Sequence, residues 1–304
     1  MRVFIAFFLI SFFSSIGLFA QESLDDIINS IDDSPKTTDV TSTFKSTRII
    51  NGHSIELTSP KSLEFRISHR FGPLNEGFYD IFGLDMATIR LGFEYGINDK
   101  IMVGLGRSSY QKTYDLFFKI ALLKQSKGIS AKPLSIYYLN SESINTLRYD
   151  PKIEFKSRIS YIHQLLIARK LNDKFSFQLT PSLVFSDFEN YDKHTFILVG
   201  LAGKYMLSKR IALNAEYFYR LKHKKVNSIG YINTFDQNYN SLSIGVDIET
   251  GGHVFQLHFS NSSPMNEKGF LLETNKSWSE GTIHFGFNIT REFTMGSKSS
   301  KKEW

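Results

Sequence analysis

Charges recur two or four positions apart in short, otherwise apolar segments: Glu64 with Arg66, Arg90 with Glu94, Asp115 with Lys119 and Glu216 with Arg220, and Asp247 adds a further one on the same kind of face. Even spacing puts such residues on one face of an extended strand. If that face lines the inside of a closed wall, the charges can select a passing solute. They can equally pair across the interior, fill it and stiffen the wall. Mixed signs and long side chains favour a narrow or blocked passage.

Other reactive residues form weaker patterns. His253 and His258 stand five positions apart, on opposite faces of a strand, so they cannot share a metal ion, and His69, His163 and His284 fall in separate segments. No metal and no cofactor is expected. His258-Phe259-Ser260 holds the elements of a Ser–His hydrolase, but Phe255, Leu257 and Phe259 form the outward apolar set. That turns His258 and Ser260 inward, away from a lipid substrate. Phosphate loops, nucleophile elbows and zinc-protease motifs are absent, and no catalytic residue is assigned. The chain has no cysteine, which removes disulfides, thiolate chemistry and lipid attachment at Gln21. Its formal charge of +6 is spread over the chain rather than gathered on one face, which argues against nucleic acid.

The elements that carry these charges read as strands. Ile283, Phe285, Phe287 and Ile289 alternate with Thr282, His284, Gly286 and Asn288, and Ile89, Leu91, Phe93 and Tyr95 alternate with Arg90, Gly92 and Glu94. Similar segments are expected at 63–71, 87–97, 101–108, 114–123, 134–140, 155–169, 175–185, 196–207, 211–221, 241–249, 253–260 and 281–293. Connections after even-numbered segments are short and rich in turn formers, such as Asn98-Asp99-Lys100, Asn172-Asp173-Lys174 and Gly251-Gly252. Those after odd-numbered segments include long ones at 72–85, 141–154, 222–240 and 261–280.

A membrane barrel sorts its connections this way because one rim carries turns and the other carries loops; a soluble sandwich has no reason to. A mean hydropathy of -0.19 fits, since a membrane strand needs apolar residues only at alternate positions. Three places resist the scheme. The connection at 124–132 is too long for its position, 196–207 is apolar on both faces, and His163 falls on an apolar face, where a bulge or register change would account for it.

Met1-Arg2, an apolar run over 3–13 and small residues up to Ala20 have the layout of a cleaved signal peptide at 1–20. Residues 21–60 precede the barrel at 61–294 as a short periplasmic segment. Leu24, Ile27, Ile28 and Ile31 have helical spacing. Such a helix could dock on a periplasmic partner or plug the barrel mouth, although a frayed leader is the plainer expectation. Residues 295–304 form a polar basic tail, with Lys298, Lys301 and Lys302 as a second candidate contact for a periplasmic partner.

Several stretches resemble a bacterial family of outer-membrane β-barrels classed as a domain of unknown function. They include Asn51-Gly52-His53-Ser54-Ile55-Glu56, Ser68-His69-Arg70-Phe71-Gly72, Val103-Gly104-Leu105-Gly106-Arg107-Ser108, Gly251-Gly252-His253-Val254-Phe255-Gln256-Leu257 and Phe285-Gly286-Phe287-Asn288-Ile289-Thr290-Arg291. The resemblance implies an outer-membrane barrel and brings no reaction, ligand or catalytic residue.

The sequence thus points to an all-β, transmembrane antiparallel β-barrel of about twelve strands with a short periplasmic N-terminal segment, placed in a bacterial outer membrane. It reads as a narrow passive channel for a small solute and not as an enzyme. The alternatives are a non-conducting barrel that anchors a periplasmic or surface partner and, remotely, an outer-membrane lipid hydrolase. Expected partners are outer-membrane lipid, the barrel-assembly machinery and a periplasmic protein.

Overall fold

The computed structural model describes residues 37–188, 192–221 and 238–295, without the side chains of 187, 188 and 192–194. The expected signal peptide, the helical stretch at 24–31 and the basic tail beyond Met295 lie outside the described residues. Twelve strands form the wall: β1 (Ser62–Pro73), β2 (Ala87–Gly96), β3 (Ile101–Ser108), β4 (Tyr114–Leu123), β5 (Ser135–Ile144), β6 (Ile159–Lys170), β7 (Phe175–Phe188), β8 (Asp192–Met206), β9 (Ile211–Arg220), β10 (Ser241–Thr250), β11 (His253–Ser260) and β12 (His284–Thr294). Each pairs antiparallel with its neighbours in sequence, and β12 pairs with β1 to close the ring. Closure is what hydrocarbon demands, because an open edge would leave backbone N–H and C=O groups with neither partner nor water.

Alternation along the strands separates two surfaces. On β9 every odd-numbered residue from Ile211 is exposed and every even-numbered one is buried. Leu91, Phe93, Leu105, Leu116, Leu201, Leu213 and Leu257 all stand exposed on the outside. Tyr95 and Tyr205 lie near the turn end and Tyr114, Tyr161 and Tyr219 near the loop end, also exposed. An apolar band flanked by tyrosines at both rims is the outer surface of a membrane barrel.

Element boundaries depart from expectation in a few places. Residues 155–158 form a 3-10 turn and β6 starts at Ile159, β5 runs on to Ile144, and β12 begins at His284 beside an irregular register. The register of β5 on β6 runs unbroken from Ser135 to Ile144, so no bulge explains His163. That imidazole lies on the outer face with its Nδ1 2.7 Å from Tyr138 Oη, which satisfies it without moving the chain. The over-long connection after β4 has a use: Ser126–Lys127 pairs with Thr38–Asp39 in a small antiparallel ribbon below the barrel.

Candidate functional site

The lumen is occupied by the chain itself. Residues 43–58 rise into it from the turn end as a hairpin, with Arg48 bridged to His53 and Ile49 N donating to Gly52 O at 2.8 Å. Thr47, Ile49, Ile50, Asn51, His53 and Ser54 are all buried. Residues 43–58 thus fill the lumen, while the helical stretch at 24–31, to which the plug and frayed-leader expectations applied, lies outside the described residues. From the loop end, the segment between β11 and β12 folds inward as a short helix, α1 (Glu267–Leu272), capped by the Asn266 side chain accepting from Gly269 N. Every residue of α1 is buried.

The inward polar side chains of the wall hold the hairpin by its backbone. Glu216 on β9 accepts from the amides of Asn51 (2.8 Å), Gly52 (3.1 Å) and Ile50 (3.3 Å). Lys119 on β4 donates to the carbonyls of Glu56 (2.8 Å), Ser54 (2.9 Å) and Thr47 (3.2 Å). Gln178 donates to His53 O, Gln256 to Ile49 O and Asn288 to Ile50 O. A backbone buried in a lumen must find such partners or lose a hydrogen bond for each group. At the tip, Gly52 lies so close to the wall that a Cβ there would stand 2.6 Å from Phe218 Cζ. Gly52→Val is therefore expected to lift the hairpin off Glu216, and limited proteolysis should cut within residues 43–58 where the wild type resists.

A ring of buried charges sits where hairpin and helix meet. Arg48 on the hairpin donates to Glu267 of α1 at 2.6 Å and lies 3.6 Å from Glu94. His53 Nε2 is 3.1 Å from the same Glu267 carboxylate. Arg66 bonds Glu64 at 2.8 Å and Thr47 Oγ1 at 2.6 Å, and Thr47 Oγ1 donates to Glu94 at 2.7 Å. Glu267 thus ties the closure that enters from one end to the closure that enters from the other.

All nine charges singled out from the sequence are buried on the inner face, but they do not line a free passage. Glu64, Arg66 and Glu94 belong to the ring, Arg90 pairs with Asp115 across one intervening strand, and Lys119 and Glu216 grip the hairpin. Asp247 accepts from Gln256, and Arg220 donates to the carbonyls of Asn238 and Leu272 beside α1. Sequence reasoning missed Arg48, His53 and Glu267. One available signal was the doubly apolar stretch 196–207: Phe196 and Leu198 face inward and, with Ile162, Val184 and Phe218, cover Phe270, Leu271 and Leu272 of α1. An apolar patch inside a polar lumen needs an apolar lid.

Burial lowers the His53 imidazole to about 3, and the charges of Arg48 and Lys119 add to the effect. Burial also opposes the Glu267 charge, yet Arg48 and His53 outweigh it and hold that carboxyl well below its usual range. Between the ordinary imidazole value of 6.5 and about 3, a released hairpin binds a proton at His53 that the docked one does not, so docking weakens as pH falls through that window. The contribution of Glu267, complete above its free value, is lost as acid approaches its depressed one. The protection factor of the Asn51 and Gly52 amides, their exchange rate corrected for intrinsic base catalysis, should be high and constant above about pH 7 and fall steadily below it.

The Ser–His elements weighed from the sequence sit inside the lumen wall. His258 is buried in the lumen wall, and Ser260 Oγ already accepts from Ser243 Oγ at 2.9 Å and from Ser262 N at 3.0 Å. Among the described residues no group of three or more potential metal ligands comes together.

Solved structures of similar shape include the NanC porin, at 7% identity over 75% of this chain and 97% of that one with a TM-score of 0.46. The KdgM porin gives 9% identity over 76% and 99% with a TM-score of 0.45. Outer membrane protein Omp33 of Acinetobacter baumannii gives 8% over 77% and 98% with a TM-score of 0.39. Identities this low concern barrel shape alone. A search of curated protein sequences finds no match. Residues 44–293, from the lumenal hairpin to the last strand, match the family model described as a membrane bound beta barrel domain (DUF5777), and the protein belongs to that family.

Proposed function

We propose that the protein is an outer-membrane channel closed at rest by its own hairpin and outer loop, which passes a small solute passively once the hairpin withdraws. The turn end then faces the periplasm, and the chain ahead of Val40 emerges there, where a periplasmic partner can draw on it. The observation that carries this reading is the bonding of hairpin to wall. The wall meets residues 43–58 through hydrogen bonds with polar side chains such as Glu216, Lys119, Gln178, Gln256 and Asn288, alongside one apolar cluster in which Phe44, Ile49 and Ile55 pack against Ala121, Tyr137, Leu166, Ala168 and Ala202. Water or a polar solute can take over each of those hydrogen bonds, which leaves the apolar cluster as the main cost of withdrawing the hairpin.

The absence of native cysteine makes a clean test available. Asn51 Nδ2 lies 3.0 Å from Ser243 Oγ, so a double variant with cysteine at both positions can lock the tip to the wall. Oxidised protein in a planar bilayer should stay silent, and reduction should bring single-channel steps. Silence in both states would favour the second reading, a scaffold without throughput, which the apolar packing of α1 against Ile162, Val184 and Leu198 supports.

A further inference from the structure

Above the hairpin tip, at the loop-end mouth, a cavity of about 540 Å³ opens between the 74–86 loop and the segment leading into and out of α1. Arg70 lies on its wall, with Thr88, Tyr110, Asn275, Lys276 and His284. Arg70 differs from three other arginines buried in the lumen. Arg48, Arg66 and Arg90 each pair with a carboxylate, whereas Arg70, wholly buried, is in no ion pair among the described residues. Its Nη2 donates to Asn51 Oδ1 at 2.6 Å, and its Nε and Nη1 have no hydrogen-bond partner there. Glu216 acts on it through space but is bonded to the amides of Ile50, Asn51 and Gly52 and forms no ion pair with it, so an oxyanion placed beside the free Nε and Nη1 offsets the cost of burying the guanidinium.

Two further groups shape the site. The buried His284 Nδ1 lies 2.8 Å from Phe71 O, a contact that places the ring proton on Nδ1 and leaves Nε2 as a free acceptor. A hydroxyl group would satisfy it. Lys276, from the outer loop and in no ion pair among the described residues, supplies a second cation, and Glu76 at the exposed lip offsets one positive charge. Two cations against one carboxylate suit a ligand of single negative charge.

From this arrangement we infer that the mouth cavity binds a small hydroxylated organic acid, its carboxylate on Arg70 and Lys276 and a hydroxyl on His284. The same Arg70 holds Asn51 at the hairpin tip, so a carboxylate that engages Arg70 competes with the bond that keeps the tip in place. Asn275 and Lys276 belong to the segment that carries α1. The ligand therefore touches both closures at once. This deepens the gated-channel reading by naming its solute class, and it rests on that reading for its role in transport but not for binding itself.

Equilibrium dialysis of the full chain in detergent micelles tests it, with labelled gluconate as probe and with inorganic phosphate and glucose beside it. Gluconate should bind saturably and glucose should not. Arg70→Gln should weaken gluconate by roughly tenfold or more, and Lys276→Gln, which leaves the hairpin untouched and guards against misassembly of the first variant, by about threefold or more. Absence of saturable gluconate binding to the wild type, unchanged affinity in both variants, or tighter binding of phosphate than of gluconate would overturn the assignment. Because dialysis needs no current, a barrel that binds gluconate but never conducts would fail as a channel and keep the site, and one that conducts without binding would do the reverse.

Discussion

Excision of residues 44–57, with a short glycine link in their place, is expected to convert a barrel that is mostly closed into one that conducts steadily. Single-channel current should rise by on the order of tenfold or more over the intact protein, because the hairpin fills a lumen that twelve strands leave too wide for wall side chains alone. The outer helix does not rescue the seal. Without Arg48 and His53, Glu267 becomes a buried carboxylate that has lost its nearest partners, and its burial on α1 then works against the docked loop. Removing one closure thereby loosens the other. An excised protein that folds, inserts and still carries no current would end the channel reading.

The second large effect is expected from Glu267→Ala. The variant keeps both closures in the chain and removes only the link between them, leaving Arg48 with Glu94 at 3.6 Å as its remaining anion. Breaking one side of a buried ion pair costs about 3–5 kcal/mol, which raises the released population by on the order of a hundredfold to a few thousandfold. Hydrogen exchange at the amides of Asn51 and Gly52, both bonded to Glu216, reads that population directly. Protection that changes by less than about threefold would mean that the wall alone holds the hairpin.

Much of the barrel was legible because its physics is local. Period-two alternation, as in 283–289, and the sorting of short turns from long loops fix strand number, direction and facing without any tertiary knowledge. That logic placed Glu64, Arg90, Lys119 and Glu216 on the inner face. It could not say what they touch, since Glu216 meets a backbone about 165 residues away in sequence. The anomalies in the pattern carried that information. The over-long 124–132 connection marked the strand pair for Thr38–Asp39, and the inward Phe196 and Leu198 of the doubly apolar 196–207 marked the seat of α1. Asn51-Gly52-His53-Ser54 was noticed for its resemblance to a family and not for its place, because a hairpin with little apolar periodicity gives no hint that it is buried.

Both stems of the lumenal hairpin leave by the same end of the barrel. Val40 N reaches Gln125 O on the way in and Lys61 N reaches Gly96 O on the way out, each among the turns. The outer segment likewise starts and finishes at the opposite rim, between β11 and β12. Neither is threaded through the wall, so each can retreat along the axis by the route it came, in opposite directions, with every rung of the twelve-strand ladder intact. The molecule is thus built like a tube with two stoppers, each fastened at the rim it enters by, and on the proposed reading one of them can be drawn from the turn side without unravelling the tube.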